Sequence, residues 1–283
     1  MTDKELHNHT KPLFSCNDHL ITGEQYTLMM NHEYDMLVTS PTPSDLQKYY
    51  DSNEYVSHNN TKITLFNFLY NSIKKWSFRR KKSLFYKKSI QQSILDIGAG
   101  TGDFLLFCKK HGMNISGVEP NEKARKQGLL KGVKLQPNFV NVSNKQYDVI
   151  TLWHSLEHIP KLFERVNQLK NCLAKDGQMF VAVPNFKSFD ANYYKEFWAA
   201  YDVPRHLWHF SQKSMHLIFE SVDMKVTKIH PLKFDSFYVS LLSEKHKTGK
   251  MNFIKAFAVG LYSNIKASRS KEFSSLIYQI EHK

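Results

Sequence analysis

Asp96-Ile97-Gly98-Ala99-Gly100-Thr101-Gly102-Asp103 sets three glycines between two carboxylates, and Glu119-Pro120 begins 23 residues after Asp96. Glycine lets a backbone turn tightly and approach a ligand closely. A helix opening after such a turn presents free N–H groups to that ligand. An acid ending the next strand is placed to accept hydrogen bonds from both hydroxyls of a ribose. Asp96, Gly98, Ala99, Gly100, Gly102, Glu119 and Pro120 are therefore the expected wall of a nucleoside pocket. Dinucleotide sites usually carry G-x-G-x-x-G, which cradles a pyrophosphate on the helix dipole. Here the pattern is G-x-G-x-G with an acid in front. Asp96 would repel a pyrophosphate and suits a ligand bearing an ammonium and a sulfonium. This charge match favours S-adenosylmethionine over NAD.

Two histidine-bearing segments offer a general base, because imidazole changes charge near neutral pH. The first is His154-Ser155-Leu156-Glu157-His158, where Glu157 could polarise either ring or join a metal site. In the plainer reading Glu157 and His158 cap and pack the helix that follows. The second is Pro204-Arg205-His206-Leu207-Trp208-His209-Phe210. His206 and His209 could wall an acceptor pocket, and Arg205 could grip a carboxylate or phosphate bidentately. Alternatively Leu207, Trp208 and Phe210 are simply core. The candidate bases are thus His154, His158 and His206, the candidate acceptor contacts Arg205, His206 and His209, and no metal site is assigned.

Alternating elements must hold these groups. Ser93–Asp96, Ile115–Glu119, a weak Val133–Leu135, Tyr147–Trp153, Gln178–Val183 and Lys225–His230 read as strands. Helices are expected from Asp103, from Asn121, over Leu162–Leu173 and over Lys213–Ser221, the last capped by Ser211. Ser274–Glu281 alternates and reads as a last strand. Such alternation predicts an α/β fold, a doubly wound Rossmann-like sheet that is mostly parallel, with helices on both faces. Ligands on such sheets bind at the carboxyl ends of the strands. Ahead of it, residues 1–88 read as a small N-terminal cap. It holds short strands near 25–30 and 35–39, a helix starting at Ser44, and a helical stripe through Ile63, Phe66, Ile73 and Trp76. The catalytic domain is expected over 89–283.

The chain has 283 residues, 39 basic and 26 acidic side chains and a formal charge of +13. Such a surface attracts anions without choosing among nucleic acid, lipid and small molecules. Eight cations and no acid lie between Lys74 and Lys88, interleaved with aromatic residues. This run could touch an anionic surface peripherally; a solvated helix face is the simpler reading. No apolar run reaches the ~18 residues of a membrane span. Cys16, Cys108 and Cys172 are too few and odd in number for a disulfide scaffold, and the first residues lack a signal core, so the cytoplasm is the expected compartment.

Leu95–Gly102 resembles the first motif of class I S-adenosylmethionine-dependent methyltransferases, and Gly117–Asn121 resembles the second. Tyr147–His158 is similar to the fourth-strand segment of the branch containing the ubiquinone-biosynthesis O-methyltransferases. Val183-Pro184-Asn185, Trp198 and Asp202–Phe210 are similar to a bacterial subgroup of that branch. The resemblance implies a seven-stranded sheet with its last strand antiparallel. It implies that Asp96, Gly98 and Gly100 line the methionine part of S-adenosylmethionine, that Glu119 holds the ribose, and that Trp153 and His154 stand near the sulfonium. S-adenosylhomocysteine would be the product. Tyr50 and Tyr55 fall in a segment similar to one that covers the cofactor in relatives. Some relatives use two acids and a histidine for a metal, but His154 replaces the first acid. Others carry two C-x2-C zinc pairs near the amino terminus. Here Cys16-Asn17-Asp18-His19 is followed by Asn31 and Tyr34, a degenerate version that lacks good ligands.

The resulting expectation is methyl transfer by in-line displacement to an oxygen or nitrogen of a small-molecule acceptor, which an anionic group would help to bind. Rival readings are an NAD(P)-dependent oxidoreductase, a silent S-adenosylmethionine-binding module and a nucleic-acid methyltransferase. Against the last, no Asn/Asp-Pro-Pro-Tyr/Phe tetrad follows the fourth strand, and Val183-Pro184-Asn185-Phe186 is not that motif.

Overall fold

The computed structural model describes residues 3–50, 75–86 and 91–283. Ten strands occur there: β1 Thr10–Asn17, β2 Gln25–Asn31, β3 Met36–Ser40, β4 Ser93–Ile97, β5 Asn114–Val118, β6 Tyr147–Trp153, β7 Leu173–Pro184, β8 Trp208–His209, β9 Met224–Pro231 and β10 Ser275–His282. They form a six-stranded sheet in the order β5-β4-β6-β7-β10-β9 and a four-stranded sheet in the order β1-β2-β3-β8. In the larger sheet β4 runs parallel to β5 and β6, while β9 and β10 are antiparallel. Ile94–Ile97, Val149–Leu152 and Met179–Val183 are unbroken buried runs, the pattern of strands covered on both faces.

The sheet is thus mixed and six-stranded among the described residues, where seven mostly parallel strands were expected. The expected third strand, Val133–Leu135, shrinks to a single parallel bridge between Val118 and Gln136. Gly132 turns the chain on one side at φ 81°. Pro137 on the other has no N–H to extend a ladder. The antiparallel final strand is present as β10.

Helices cover Asp103–Lys109, Glu122–Leu130, Leu162–Cys172, Gln212–Glu220, Asp235–Thr248 and Phe253–Ser270. Asn121 caps the second of these by accepting from the Ala124 N–H, and Ser211 and Ser214 form a reciprocal capping box on the Gln212–Glu220 helix. The expected helix at Ser44 is only a 3-10 turn, Gln47–Tyr49. A helix does run over residues 75–83. Tyr55, the stripe from Ile63 to Ile73, and Lys74, Lys87 and Lys88 lie outside the described residues.

Two compact units divide the chain differently from the expected boundary at residue 88. One comprises residues 1–49, 154–170 and 180–283; the other comprises 50–153 and 171–179. In the first unit the small antiparallel sheet packs Leu28 and Leu37 with Tyr49, Tyr194, Trp198 and Tyr201. Its edge strand β8 comes from the Arg205–Phe210 segment, pairing Val38 with Trp208. In the second unit Phe104, Leu105 and Cys108 of the Asp103–Lys109 helix are buried, and the helix packs beside β5.

Candidate functional site

In the unit of residues 50–153 and 171–179, the register that pairs Asp96 on β4 with Thr151 on β6 also supplies its hydrogen bond: Thr151 Oγ1 donates to Asp96 Oδ1 at 2.6 Å. Asp96 is 2 % exposed. Burial pushes its carboxyl up to about 7, the Thr151 hydrogen bond and the Lys81 charge oppose this, and the Glu119 charge adds to it. The chain then turns through Gly98, Gly100 and Gly102 at φ 72°, 55° and 71°, a region costly for residues with a Cβ. The Gly98 and Ala99 N–H groups both donate to the Val118 carbonyl. A Cβ at Gly100 would meet nothing within 4 Å, so the turn faces open space there.

Glu119 closes this loop from the second strand. Its Oε2 accepts from the Gly100 N–H and its Oε1 from the Asn121 N–H, both at 2.8 Å. Burial raises its carboxyl, and these two bonds and the Arg125 charge recover only part of that shift. A carboxylate offers about four acceptor positions, so one backbone bond on each oxygen leaves room for a vicinal diol. Pro120 is exposed, and its carbonyl takes the Arg125 guanidinium at 2.6 Å.

Trp153 ends β6 with its Nε1 buried and without a hydrogen-bond partner. Phe104 meets it edge-on at 5.5 Å. The Lys81 ammonium lies 4.3 Å from the centre of its ring. The same ammonium acts on Asp96, so this end of β4 and β6 already favours a cation by carboxylate and π-face together. Asp96, the open face at Gly100 and the spare acceptors of Glu119 therefore fit S-adenosylmethionine, and they do not fit a pyrophosphate.

The other unit holds the histidines. His154 sits at φ 53°, a strained conformation for a residue with a Cβ. Its Nε2 is 3.1 Å from Asp235 Oδ2 and its Nδ1 is 3.6 Å from Glu157 Oε1. Burial alone would lower its pKa, but Asp235 and Glu157 reverse this and raise it to about 9. It is an imidazolium at neutral pH and has no lone pair for a proton, so it is poorly suited to the base role expected of it. His158 is the opposite case: burial and the neighbouring His206 push it down to about 4. Its Nδ1 donates to the Arg205 carbonyl at 3.0 Å, the tautomer that leaves Nε2 as an acceptor. His206 Nδ1 donates to the Ala200 carbonyl at 2.8 Å, and its ring meets His158 edge-on at 4.5 Å.

Glu157 lies among these rings. Its side chain is 1 % exposed, and neither carboxylate oxygen has a hydrogen-bond partner. Against burial, which would raise it, the imidazoles of His154, His206 and His158 hold its carboxyl below the ordinary range. Another buried carboxylate, Asp190, shows what a structural acid looks like: it accepts from Trp198, Ser263 and Ser274 at 2.6–2.8 Å. An ionised group buried without hydrogen bonds is costly and calls for a specific explanation, such as a catalytic role or a bound ion. Among the described residues Glu157, His158 and His206 form the one cluster able to offer three metal ligands, with donor atoms within 4.8 Å of one another. One carboxylate with two imidazoles suits a divalent transition-metal ion.

Several expected contacts are corrected. Arg205 is not available to an acceptor anion: it is 1 % exposed and bound to Asp18 at 2.8 Å and Asp202 at 2.7 Å. His209 is buried, its Nε2 2.9 Å from Thr39 Oγ1, and burial keeps it neutral well below its usual pKa; it is a core residue. Trp208 is core as well, donating to the Ile159 carbonyl at 2.7 Å. Tyr50 is half-buried after the 3-10 turn, whereas its neighbour Tyr49 is fully buried against Tyr26. In the degenerate ribbon segment, burial and Glu196 push the Cys16 thiol up to about 12, and Asn31 holds its turn by accepting from the Tyr34 N–H. The sequence reading missed Lys81, Thr151, Asp202 and Asp235. Only Asp202 carried a local signal, three residues before Arg205; the others meet their partners through the fold.

Residues 53–229 match a family model described as a methyltransferase domain, more than half of the chain. Curated relatives include the ubiquinone biosynthesis O-methyltransferases of Aeromonas salmonicida (28% identical over 120 residues, 39% of this chain and 48% of that one) and Actinobacillus pleuropneumoniae (27% over 121 residues, 38% and 50%). The chain spans about half the length of the curated relatives it matches. Similar solved structures include a SAM-dependent methyltransferase from Archaeoglobus fulgidus (TM-score 0.51, 19% identity, 75% of this chain and 94% of that one). Another is coclaurine N-methyltransferase bound to N-methylheliamine and SAH (TM-score 0.53, 14% identity, 79% and 75%). With the glycine turn, its two acids and the mixed sheet that carries them, these matches establish that the chain belongs to the class I S-adenosylmethionine-dependent methyltransferase family.

Proposed function

We propose that this protein moves the methyl group of S-adenosylmethionine to an oxygen or nitrogen of a small-molecule acceptor. The observation that carries this reading is the pair of carboxylates at the glycine turn, Asp96 and Glu119, with spare acceptor capacity beside an aromatic face that already attracts a cation. Bound there, the cofactor supplies an electrophilic methyl group on a sulfonium. The chain's own contribution is to neutralise the ligand's positive charge through Asp96, to hold the ribose through Glu119, and to keep the π-face of Trp153 towards a cation. The names of the curated relatives favour an oxygen acceptor.

An oxygen acceptor must lose a proton. His158 can take it at Nε2, because its Nδ1–H is fixed on the Arg205 carbonyl, although burial and His206 make it a weaker base than a free imidazole. Glu157 would stabilise the imidazolium that forms. Calorimetry should show S-adenosylhomocysteine binding and no NADH binding, and Glu119→Ala should weaken the former at least tenfold. In an acceptor screen His158→Ala should lower kcat by about 10²–10⁴-fold with unchanged S-adenosylhomocysteine affinity, and His154→Ala should not. NADH binding would sink the cofactor reading. Full turnover in His158→Ala would leave positioning alone as the source of rate.

A further inference from the structure

The Phe253–Ser270 helix is packed inside out. Its buried positions are Ala256, Val259, Gly260, Ser263 and Ala267, spaced to form one face. They are small, and Gly260 has little room for more: a Cβ there would stand 2.9 Å from the Phe237 ring and 3.0 Å from backbone atoms of Ser236 and Phe237. Its large apolar residues lie mostly on the other face, with Phe257 also stacking on the Phe237 ring at 5.3 Å. Ile254, Phe257, Leu261 and Ile265 recur at i, i+3, i+7 and i+11 and are 43–86 % exposed, with Phe253 beside them. A helix docked only on its own protein shows the reverse arrangement, and contiguous exposed apolar stripes mark interaction surfaces.

Charge selects the partner. Residues 249–271 contain Lys250, Lys255, Lys266, Arg269 and Lys271 and no carboxylate. Lys255, Lys266 and Arg269 are spaced i, i+11 and i+14, along one flank of the apolar stripe. Lys255 also reaches the buried Glu244 at 3.2 Å. A second copy of this helix would bring ten cations together with no acid of either segment to meet them. A surface of anionic phosphates over hydrocarbon satisfies both features at once. The helix is 18 residues long, and among the described residues no helix is long and apolar enough to cross a membrane.

We propose that the Phe253–Ser270 helix docks this protein on an anionic lipid surface. Ile254, Phe257, Leu261 and Ile265 would lie at the headgroup–acyl boundary, with the lysines and arginine on lipid phosphates. The proposal does not depend on the cofactor reading. The test is flotation of the full chain with vesicles of phosphatidylcholine alone or mixed with phosphatidylglycerol. The protein should float with the mixed vesicles, at least tenfold more strongly than with the neutral ones, and less at high salt. Ile254→Asn with Leu261→Asn should lower that partition at least tenfold while the circular dichroism spectrum is unchanged. Should that pair perturb folding, Lys266→Glu with Arg269→Glu, at exposed positions, should abolish the preference for the anionic vesicles. Absence of flotation with the mixed vesicles, or equal flotation of wild type and a folded variant pair, overturns the proposal. So does a concentration-dependent dimer that Ile254→Asn with Leu261→Asn dissociates in a protein that ignores vesicles, which would assign the stripe to a second copy.

Discussion

Asp96 is held where an ionised carboxylate is disfavoured, with one hydroxyl for company and Glu119's charge adding to the strain. A cationic ligand changes that balance, since positive charge beside a buried carboxylate favours its ionised form. The free protein holds Asp96 partly protonated near neutrality, its carboxyl lying at about 7. Affinity for S-adenosylmethionine should therefore rise from pH 6 to pH 8 as Asp96 ionises. Asp96→Asn keeps an acceptor for Thr151 and removes the charge; it should bind at least tenfold more weakly at pH 8, with the pH dependence gone. The linkage sign for folding runs the other way. A carboxyl raised in the folded state favours folding less as pH rises from the unfolded value towards 7, so Asp96→Asn should be the more stable protein at pH 8. Calorimetric titration and thermal melts at pH 6, 7 and 8 check both. A variant that keeps the wild-type pH profile of binding would remove Asp96 from the ligand's charge balance.

Side-chain capping begins the helices after β5 and β8, at Asn121 and at Ser211, but not the one that follows the glycine turn. Ser211 illustrates its worth, accepting from the Ser214 N–H while the Ser214 hydroxyl accepts from the Ser211 N–H. Ser211→Ala should cost about 1 kcal/mol, read as a lower urea midpoint at constant m-value. An unchanged midpoint would show that tertiary packing alone fixes that helix. This cap was legible because it lies within four residues. β4, β5, β6, β9 and β10 were legible for the same reason, as apolar runs bounded by turns, within a residue or two of the expected ends. The lost third strand was a matter of Pro137 and Gly132 outweighing three residues of pattern. β8 was not legible, because a two-residue strand has no periodicity and exists only by pairing with β3. At the site, Asp96 and Glu119 could be read from their places around the glycines. The charge state of His154 could not, because Asp235 lies 81 residues further along the chain.

In the unit of residues 1–49, 154–170 and 180–283, Arg205 ties distant stretches together. It binds Asp18, which also accepts from the N–H groups of Leu20, Ile21 and Thr22, and it binds Asp202 through Nε and Nη2. Against burial, which would raise them, Arg205 holds both carboxyls below their usual range; for Asp18 its hydrogen bond leads, and for Asp202 its charge. Groups depressed in this way stabilise the fold above their unfolded pKa of about 4 and lose that contribution as pH falls further. The wild-type protein should accordingly keep its stability from pH 7 to about 5 and lose it below. Arg205→Met leaves two acids buried without their cation, a change that costs about 3–5 kcal/mol when one partner of a buried pair is removed. It also weakens the pH dependence. Without the guanidinium, burial is opposed only by the backbone N–H groups on Asp18 and the histidine charges beside Asp202, so both carboxyls move upward and lowering the pH should cost the variant less than the wild type. Urea melts from pH 7 to below about 5 would show the two proteins converging as pH falls. Parallel curves would mean that Arg205 contributes packing and hydrogen bonds rather than charge, and that the apolar cluster around Trp198 and Tyr201 alone joins these stretches of chain.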